Sequence, residues 1–259
     1  MVVLGAYTGM RTVGRKSVVE LGSHMKRIVN SLSLMRFENS DGVEPETVSQ
    51  MMSPFRNITS LEHRLVPLLR AGLENYYSNV DPTTATDHPS ETKISLMVTY
   101  CYESRRPRFA AHFAPLVTPK KHRVKVEIEN KARKMPEVKD SQWVRERAAL
   151  EQHKLHDINE VVLTDDDGNL YEGMASNFFA VRKRETDGKS VVMCAALENI
   201  LLGTVMKIVM AICEEDGIEF QWGFPRLQDA RDNRWEGCFL TSTSRLLLPI
   251  EALYVPDGR

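Results

Sequence analysis

The segment from Tyr171 to Val181, read Tyr-Glu-Gly-Met-Ala-Ser-Asn-Phe-Phe-Ala-Val, holds the residues most able to do chemistry. Its pattern predicts that Glu172 closes one strand, that Gly173, Met174, Ala175, Ser176 and Asn177 form a turn, and that a new apolar strand begins at Phe178. A plain hairpin needs no carboxylate at that place. A site that holds one negative charge against a bound heterocycle does, and short hydrogen-bonding side chains beside the acid suit it.

Four further segments add chemistry. Gly203-Thr-Val-Met-Lys207 opens a predicted helix after the apolar run Ile200–Leu202. The free N–H groups of a first helical turn attract anions, and a glycine lets the backbone come close. Thr241, Ser242, Thr243 and Ser244 place four hydroxyls in a row at a strand end, where several can donate to one anion. His24, Arg27 and Ser31 fall at i, i+3 and i+7, on one helix face opposite Val29 and Leu32, and Arg27 suits bidentate phosphate binding. Lys139 follows Pro136. Each has a plain alternative: a strand-to-helix junction, a solvated turn, a surface ion pair, a solvated lysine. Together, one acid, one lysine and three phosphate-type elements are the parts needed to hold pyridoxal 5'-phosphate (PLP). A lysine carries the cofactor covalently, an acid keeps its pyridine nitrogen protonated, and the phosphate anchors it.

The ordered set resembles the fold-type IV PLP-dependent enzymes: branched-chain aminotransferases, D-amino-acid aminotransferases and aminodeoxychorismate lyases. The matching segments are Gly5–Thr12, His24-x-x-Arg27-x-x-x-Ser31, Lys139, Glu172-Gly-x-x-Ser-Asn177, Leu201-Leu-Gly-Thr-Val205 and Phe239–Ser244 with Pro249. The stretch Lys139–Arg145 resembles in particular a eukaryotic aminotransferase-like branch. The resemblance implies that Lys139 is the Schiff-base lysine and proton shuttle and that Glu172 pairs with the pyridine nitrogen. It implies that Arg27, the amides of Thr204 and Val205 after Gly203, and the Thr243 hydroxyl hold the phosphate. Leu201 would pack against the ring, Asn177 would support the cofactor-side turn, and Tyr7 would sit near Lys139 or the substrate. Three features depart from the family pattern: Thr8 stands where aminotransferases commonly have Glu, Leu202 replaces the usual Pro, and the two strands usual ahead of Gly5 are absent.

The activity implied by the resemblance is amino transfer between an amino acid and a 2-keto acid, in a homodimer. A lyase releasing pyruvate from an aminochorismate and a non-catalytic PLP-fold binding protein are the alternatives. Arg105 and Arg106, with Arg108, are candidates for binding the substrate carboxylate.

The elements that must position these residues read as an α/β first part followed by a β-rich part. Strands are predicted at 2–13, 17–21, 94–102, 109–113, 124–129, 160–164, 178–181, 191–194, 218–222, 239–241 and 246–250, and helices at 25–35, 44–52, 60–77, 142–152 and 203–215. Thr59 or Ser60 is the expected cap of the third helix, and Pro67 a kink or later start. Loops are expected at 39–43 and 81–91, and a turn at 165–168. The predicted architecture is α/β (α+β): a small α/β domain over 1–117 and a larger cofactor-binding domain over 118–259, which the resemblance makes β-barrel-like.

A chain of 259 residues with a formal net charge of −1 has no basic excess, which argues against a nucleic-acid or membrane surface. The basic clusters at 120–125 and 182–184 read as solvated strand ends. Cys101, Cys194, Cys213 and Cys238 are widely spaced in apolar runs, so buried thiols are expected rather than a metal site or a disulfide framework. No apolar run reaches the ~18 residues of a membrane span, and the cytoplasm is the expected compartment, an organelle being the alternative.

Overall fold

The computed structural model describes residues 4–37, 42–79, 91–117, 122–131 and 133–255. All of the predicted loop at 81–91 but Glu91, most of that at 39–43, Val2 and Val3 of the first predicted strand, Lys120 and Lys121, and the expected domain boundary lie outside them. The chain divides into two compact units, Met1–Thr118 with Val138–Val144, and Pro119–Glu137 with Arg145–Arg259.

In the first unit β1 (Gly5–Val13), β2 (Ser17–Val18), β3 (Thr92–Cys101) and β4 (Arg106–Pro115) form an antiparallel sheet in the order β2-β1-β3-β4. Ala6, Thr8, Met10 and Thr12 alternate inward along β1, the period of a strand with one covered face. That face is covered by α1 (Leu21–Leu34), α2 (Pro45–Met52) and α3 (Ile58–Asn79), through Met25, Ile28, Leu32, Val48, Leu61 and Leu65. The strand predicted over 17–21 stops at Val18, because Glu20 turns the chain at φ 50 and α1 begins at Leu21.

Helix α3 starts two residues ahead of its expected start, with Asn57 Oδ1 accepting the Ser60 N–H at 3.0 Å. It continues through Pro67. An interior proline costs about 3 kcal/mol, and burying Leu61, Leu65 and Leu69 offsets this at about 1.5–3 kcal/mol each. No helix among the described residues is long and apolar enough to cross a membrane.

The segment Val138–Val144, which carries Lys139, belongs to this first unit. Val138 is buried in its core, Ala6 bridges Asp140 in antiparallel register, and the Gly5 N–H donates to Ser141 Oγ. Asp140 Oδ1 accepts the Trp143 N–H at the start of α4 (Ser141–Glu146). The helix predicted over 142–152 is interrupted at Arg147 and resumes as α5 (Ala148–His153).

The second unit is a β-barrel with a two-stranded extension. The order is β10-β9-β8-β11-β12-β5-β6-β7, and β7 also pairs with β8, which closes six of the strands on themselves. These strands are β5 (Val124–Asn130), β6 (Glu160–Thr164), β7 (Leu170–Gly173), β8 (Ser176–Lys183), β9 (Ser190–Cys194), β10 (Glu219–Trp222), β11 (Trp235–Ser242) and β12 (Leu246–Tyr254). One cluster comprises Val126, Ile128, Val162, Leu170, Phe178 and Leu240. Another packs Phe179, Cys194, Ile200 and Met206 beneath α6 (Thr204–Glu215). Consecutive Phe178 and Phe179 thus serve two cores, as alternation along a strand requires. A short helix, α7 (Leu227–Arg231), carries too few residues for its period to show in the sequence.

All four cysteines are free, but Cys101 and Cys238 are only half-buried, unlike Cys194 and Cys213. Burial pushes the Cys194 and Cys213 thiols up and the Cys238 thiol up to about 12, whereas hydrogen bonding to Ser104, with Arg108 near, draws the Cys101 thiol down. Iodoacetamide at mildly alkaline pH is expected to alkylate Cys101 first, since the thiolate is the nucleophile. Peptide mass mapping that shows Cys194 or Cys238 labelled earlier in the folded protein would contradict this.

Candidate active site

The turn at Glu172 is tighter than its sequence suggests. β8 begins at Ser176, two residues before the predicted Phe178, so that Glu172 pairs with Asn177 and Gly173 with Ser176 across the hairpin. Glu172 is buried, at 4 % exposure. Its Oε1 accepts from Arg133 Nη1 at 3.2 Å, and its Oε2 accepts the Leu201 N–H at 3.0 Å. Asn177 Nδ2 donates to the Leu201 carbonyl at 2.7 Å, so the acid and the amide grip both sides of one residue.

Beyond Leu201 the chain turns at Gly203 into α6. A Cβ on Gly203 would collide with Asn177 Oδ1, so any other residue there must displace the Asn177 side chain. Gly203 has extended backbone and no side-chain cap, which leaves the first amides of α6 without intrahelical acceptors. Thr204 Oγ1 lies 3.0 Å from Thr243 Oγ1, in the turn between β11 and β12. Thr241 Oγ1 is buried without a hydrogen-bond partner among the described residues. The second unit thus brings together Glu172, Asn177, Leu201, Gly203, Thr204 and Thr243, with Val205 buried in the same turn of α6.

The first unit brings together Lys139, Tyr7 and Arg27. Lys139 Nζ lies over the Tyr7 ring, 4.8 Å from its centroid. The Lys139 backbone is tied on both sides, its carbonyl accepting the Tyr7 N–H at 2.9 Å and its own N–H donating to Ser31 Oγ at 3.0 Å. Next along β1, Thr8 Oγ1 lies 2.7 Å from His24 Nδ1 and accepts from Arg27 Nη2 at 2.5 Å. Arg27 Nε is buried without a hydrogen-bond partner among the described residues. Burial draws the Arg27 guanidinium down to about 10, against a smaller opposing effect of Tyr7. It remains a cation at neutral pH, and an anion beside it would offset the cost of burying it.

Arg105, Arg106 and Arg108 are exposed at the β3–β4 hairpin and along β4, with β3 lying between β4 and β1 in the sheet. Sequence reasoning missed Arg133 as the cation facing Glu172, and it missed Glu160 and Arg245. Nothing in periodicity marks them. Thr8, read only as a departure from a pattern, is the residue that receives Arg27.

The model of the Amino-transferase class IV family matches residues 5–253. The chain belongs to that family. Among curated proteins no significant match is found. Solved structures are similar in fold. A fold IV-transaminase from Curtobacterium pusillum is 20 % identical with a TM-score of 0.69, over 98 % of this chain and 80 % of its own. A hypothetical aminotransferase from Mycobacterium tuberculosis, in PLP-bound form, is 14 % identical with a TM-score of 0.68, over 98 % of this chain and 82 % of its own. A branched-chain aminotransferase from Thermoproteus uzoniensis, solved with norvaline, is 17 % identical with a TM-score of 0.67, over 99 % and 81 %.

The residues of this class IV aminotransferase fit the cofactor that its chemistry requires. The buried carboxylate of Glu172 is an acceptor suited to a ring N–H. In the second unit the α6 amides, the Thr204–Thr243 hydroxyl pair and the orphaned Thr241 hydroxyl are donors suited to a phosphate. In the first unit the orphaned Arg27 Nε is by itself a donor suited to an anion.

Proposed function

We propose that this class IV aminotransferase carries PLP on Lys139 and moves an amino group between an amino acid and a 2-keto acid. The observation that carries the reading is the buried Glu172 carboxylate, held by Arg133 and the Leu201 N–H, in the same unit as the donors of the α6 turn. A pair of buried charges is a costly way to stabilise a fold. It is well suited to keeping an acid ionised where a protonated heterocycle must be met.

When bound, PLP supplies an electron sink that stabilises the charge left as the substrate Cα loses its proton. The remaining work falls to the chain. Lys139 Nζ would hold the cofactor and, when free, would take the substrate Cα proton and move it to the cofactor C4′. The Tyr7 ring holds Nζ in place, and the hydrogen bonds to Tyr7 and Ser31 fix the lysine backbone, so that one side chain can do both tasks. Glu172 would accept the ring N–H and keep that proton in place. Thr204, Val205 and Thr243 would hold the phosphate and Arg27 would serve as a counter-cation, while Leu201 would pack on the ring and Asn177 fixes Leu201.

An α-amino acid as donor is supported by the norvaline held by the relative from Thermoproteus uzoniensis. Arg105 and Arg106 are the proposed contacts for its carboxylate. Arg106→Ala is expected to raise KM for the donor several-fold with kcat little changed, and an unchanged KM would remove Arg106 from the site. A homodimer belongs to the same proposal. It is supported by the outer edge of β4, where Phe109, Ala110, Ala111 and His112 are all exposed. Sedimentation velocity tests it.

Product analysis tests the reaction. Purified protein with PLP, a panel of amino acids and a 2-keto acceptor should give matched amounts of new keto acid and new amino acid. Pyruvate released from an aminochorismate without any acceptor would make the protein a lyase instead.

A further inference from the structure

Behind the cofactor contacts of the second unit lies a buried charge network. Glu160, the first residue of β6, is 3 % exposed. Its Oε2 accepts from Arg245 Nη2 and from Ser176 Oγ, the latter at 3.1 Å, and its Oε1 accepts the Val161 N–H at 3.3 Å. Arg245 and Ser176 belong to two different cofactor elements. Ser176 opens β8 and pairs with Gly173, directly after Glu172. A Cβ on Gly173 would collide with Ser176 Oγ and approach Glu160 Cγ to 3.0 Å, so this turn is packed against the acid.

Arg245 ends the turn that carries Thr243. Its N–H and Nε donate to Ser242 Oγ at 3.3 and 3.4 Å, and its Nη1 donates to the Asn159 carbonyl at 3.4 Å. The next residue, Leu246, sits at φ 58, a conformation that a leucine rarely takes. A turn ending on such a residue needs outside contacts to hold its shape, and Arg245 supplies them.

We propose that Glu160 and Arg245 are a positioning pair that fixes the Thr243 turn and the Glu172 turn at a set separation, so that the phosphate end and the ring end of the cofactor are gripped together. The proposal rests on the assignment of Thr243 and Glu172 to PLP. Neither member of the pair touches the cofactor. Both act through their neighbours.

The test measures affinity of the full-length, cofactor-stripped protein for PLP and for pyridoxal, which lacks the phosphate. Wild type, E160Q, R245K, R245M and the E160Q/R245M double variant are compared, each with its thermal midpoint. R245M strands a buried carboxylate and E160Q does not, so E160Q decides the question if R245M fails to fold. E160Q and R245M are expected to bind PLP at least about tenfold more weakly and to lose most of the preference for PLP over pyridoxal. R245K should recover part of it, and the double variant should bind no more weakly than the weaker single one, because both changes break one link. A purely structural pair would lower the thermal midpoint and leave the PLP-to-pyridoxal ratio as in wild type. An unchanged ratio in E160Q therefore overturns the clamp alone, whereas a wild-type protein that binds no PLP overturns the cofactor assignment and the clamp with it.

Discussion

Lys139→Ala is expected to abolish amino transfer and covalent retention of the cofactor together. A general base alone contributes roughly 10²–10⁴ in rate, and this residue is also the attachment point, so the loss should exceed that range. The fold should survive. Lys139 touches the Tyr7 ring at 4.8 Å, a contact of about 0.5–1 kcal/mol at a partly exposed position, and its backbone bonds to Tyr7 and Ser31 remain in alanine. The measurement is kcat with the thermal midpoint alongside. Lys139→Arg is the control, since it keeps a cation over the ring and cannot form the bond. Substantial turnover in either variant would remove Lys139 from the mechanism.

The second large effect is expected at Glu172. Glu172→Gln keeps the shape and one carbonyl acceptor but removes the charge that holds a proton on the ring nitrogen. Removing one preorganised electrostatic group commonly costs about 10²–10³ in kcat, and a loss at the upper end is expected here. The substitution also breaks the ion pair of Glu172 with Arg133. The two side chains are 6 % and 5 % exposed, and breaking a buried pair costs about 3–5 kcal/mol. Stability and activity should therefore fall together in Glu172→Gln. Arg133→Met separates the two effects, because it breaks the same pair and keeps the acid. If Arg133→Met and Glu172→Gln lose activity only in proportion to folded protein, Glu172 is a structural residue and not part of the reaction.

Candidate residues were more legible in the sequence than the contacts that hold them. Gly203, Thr204 and Thr243 could be singled out because a strand followed by glycine and a helix, or by a row of hydroxyls, can serve an anion, although each alone also reads as an ordinary junction or a solvated turn. Glu172 stood out as an acid set against a small-residue turn. The halves of the fold were readable for the same reason: helical spacing in α1 and α3, and apolar runs bounded by turns in the barrel strands. What could not be read was long-range pairing. Arg133 meets Glu172 and Arg245 meets Glu160 only once the strands close, and no local pattern announces either contact. The same holds for Lys139, whose segment packs with β1 and α1, far away in sequence. Boundaries moved where one residue outweighed the period: Glu20 at φ 50 ended a predicted strand, and Asn57 capped α3 ahead of its expected start.

Locating the covalent attachment tests the role of Lys139 without relying on turnover. The purified protein is loaded with PLP, reduced with borohydride and digested, and the peptides are mapped by mass spectrometry. The expected result is a phosphopyridoxyl group on the peptide containing Lys139, and on that lysine. Label on another lysine, such as Lys131 or Lys134, or no label on any, would contradict it.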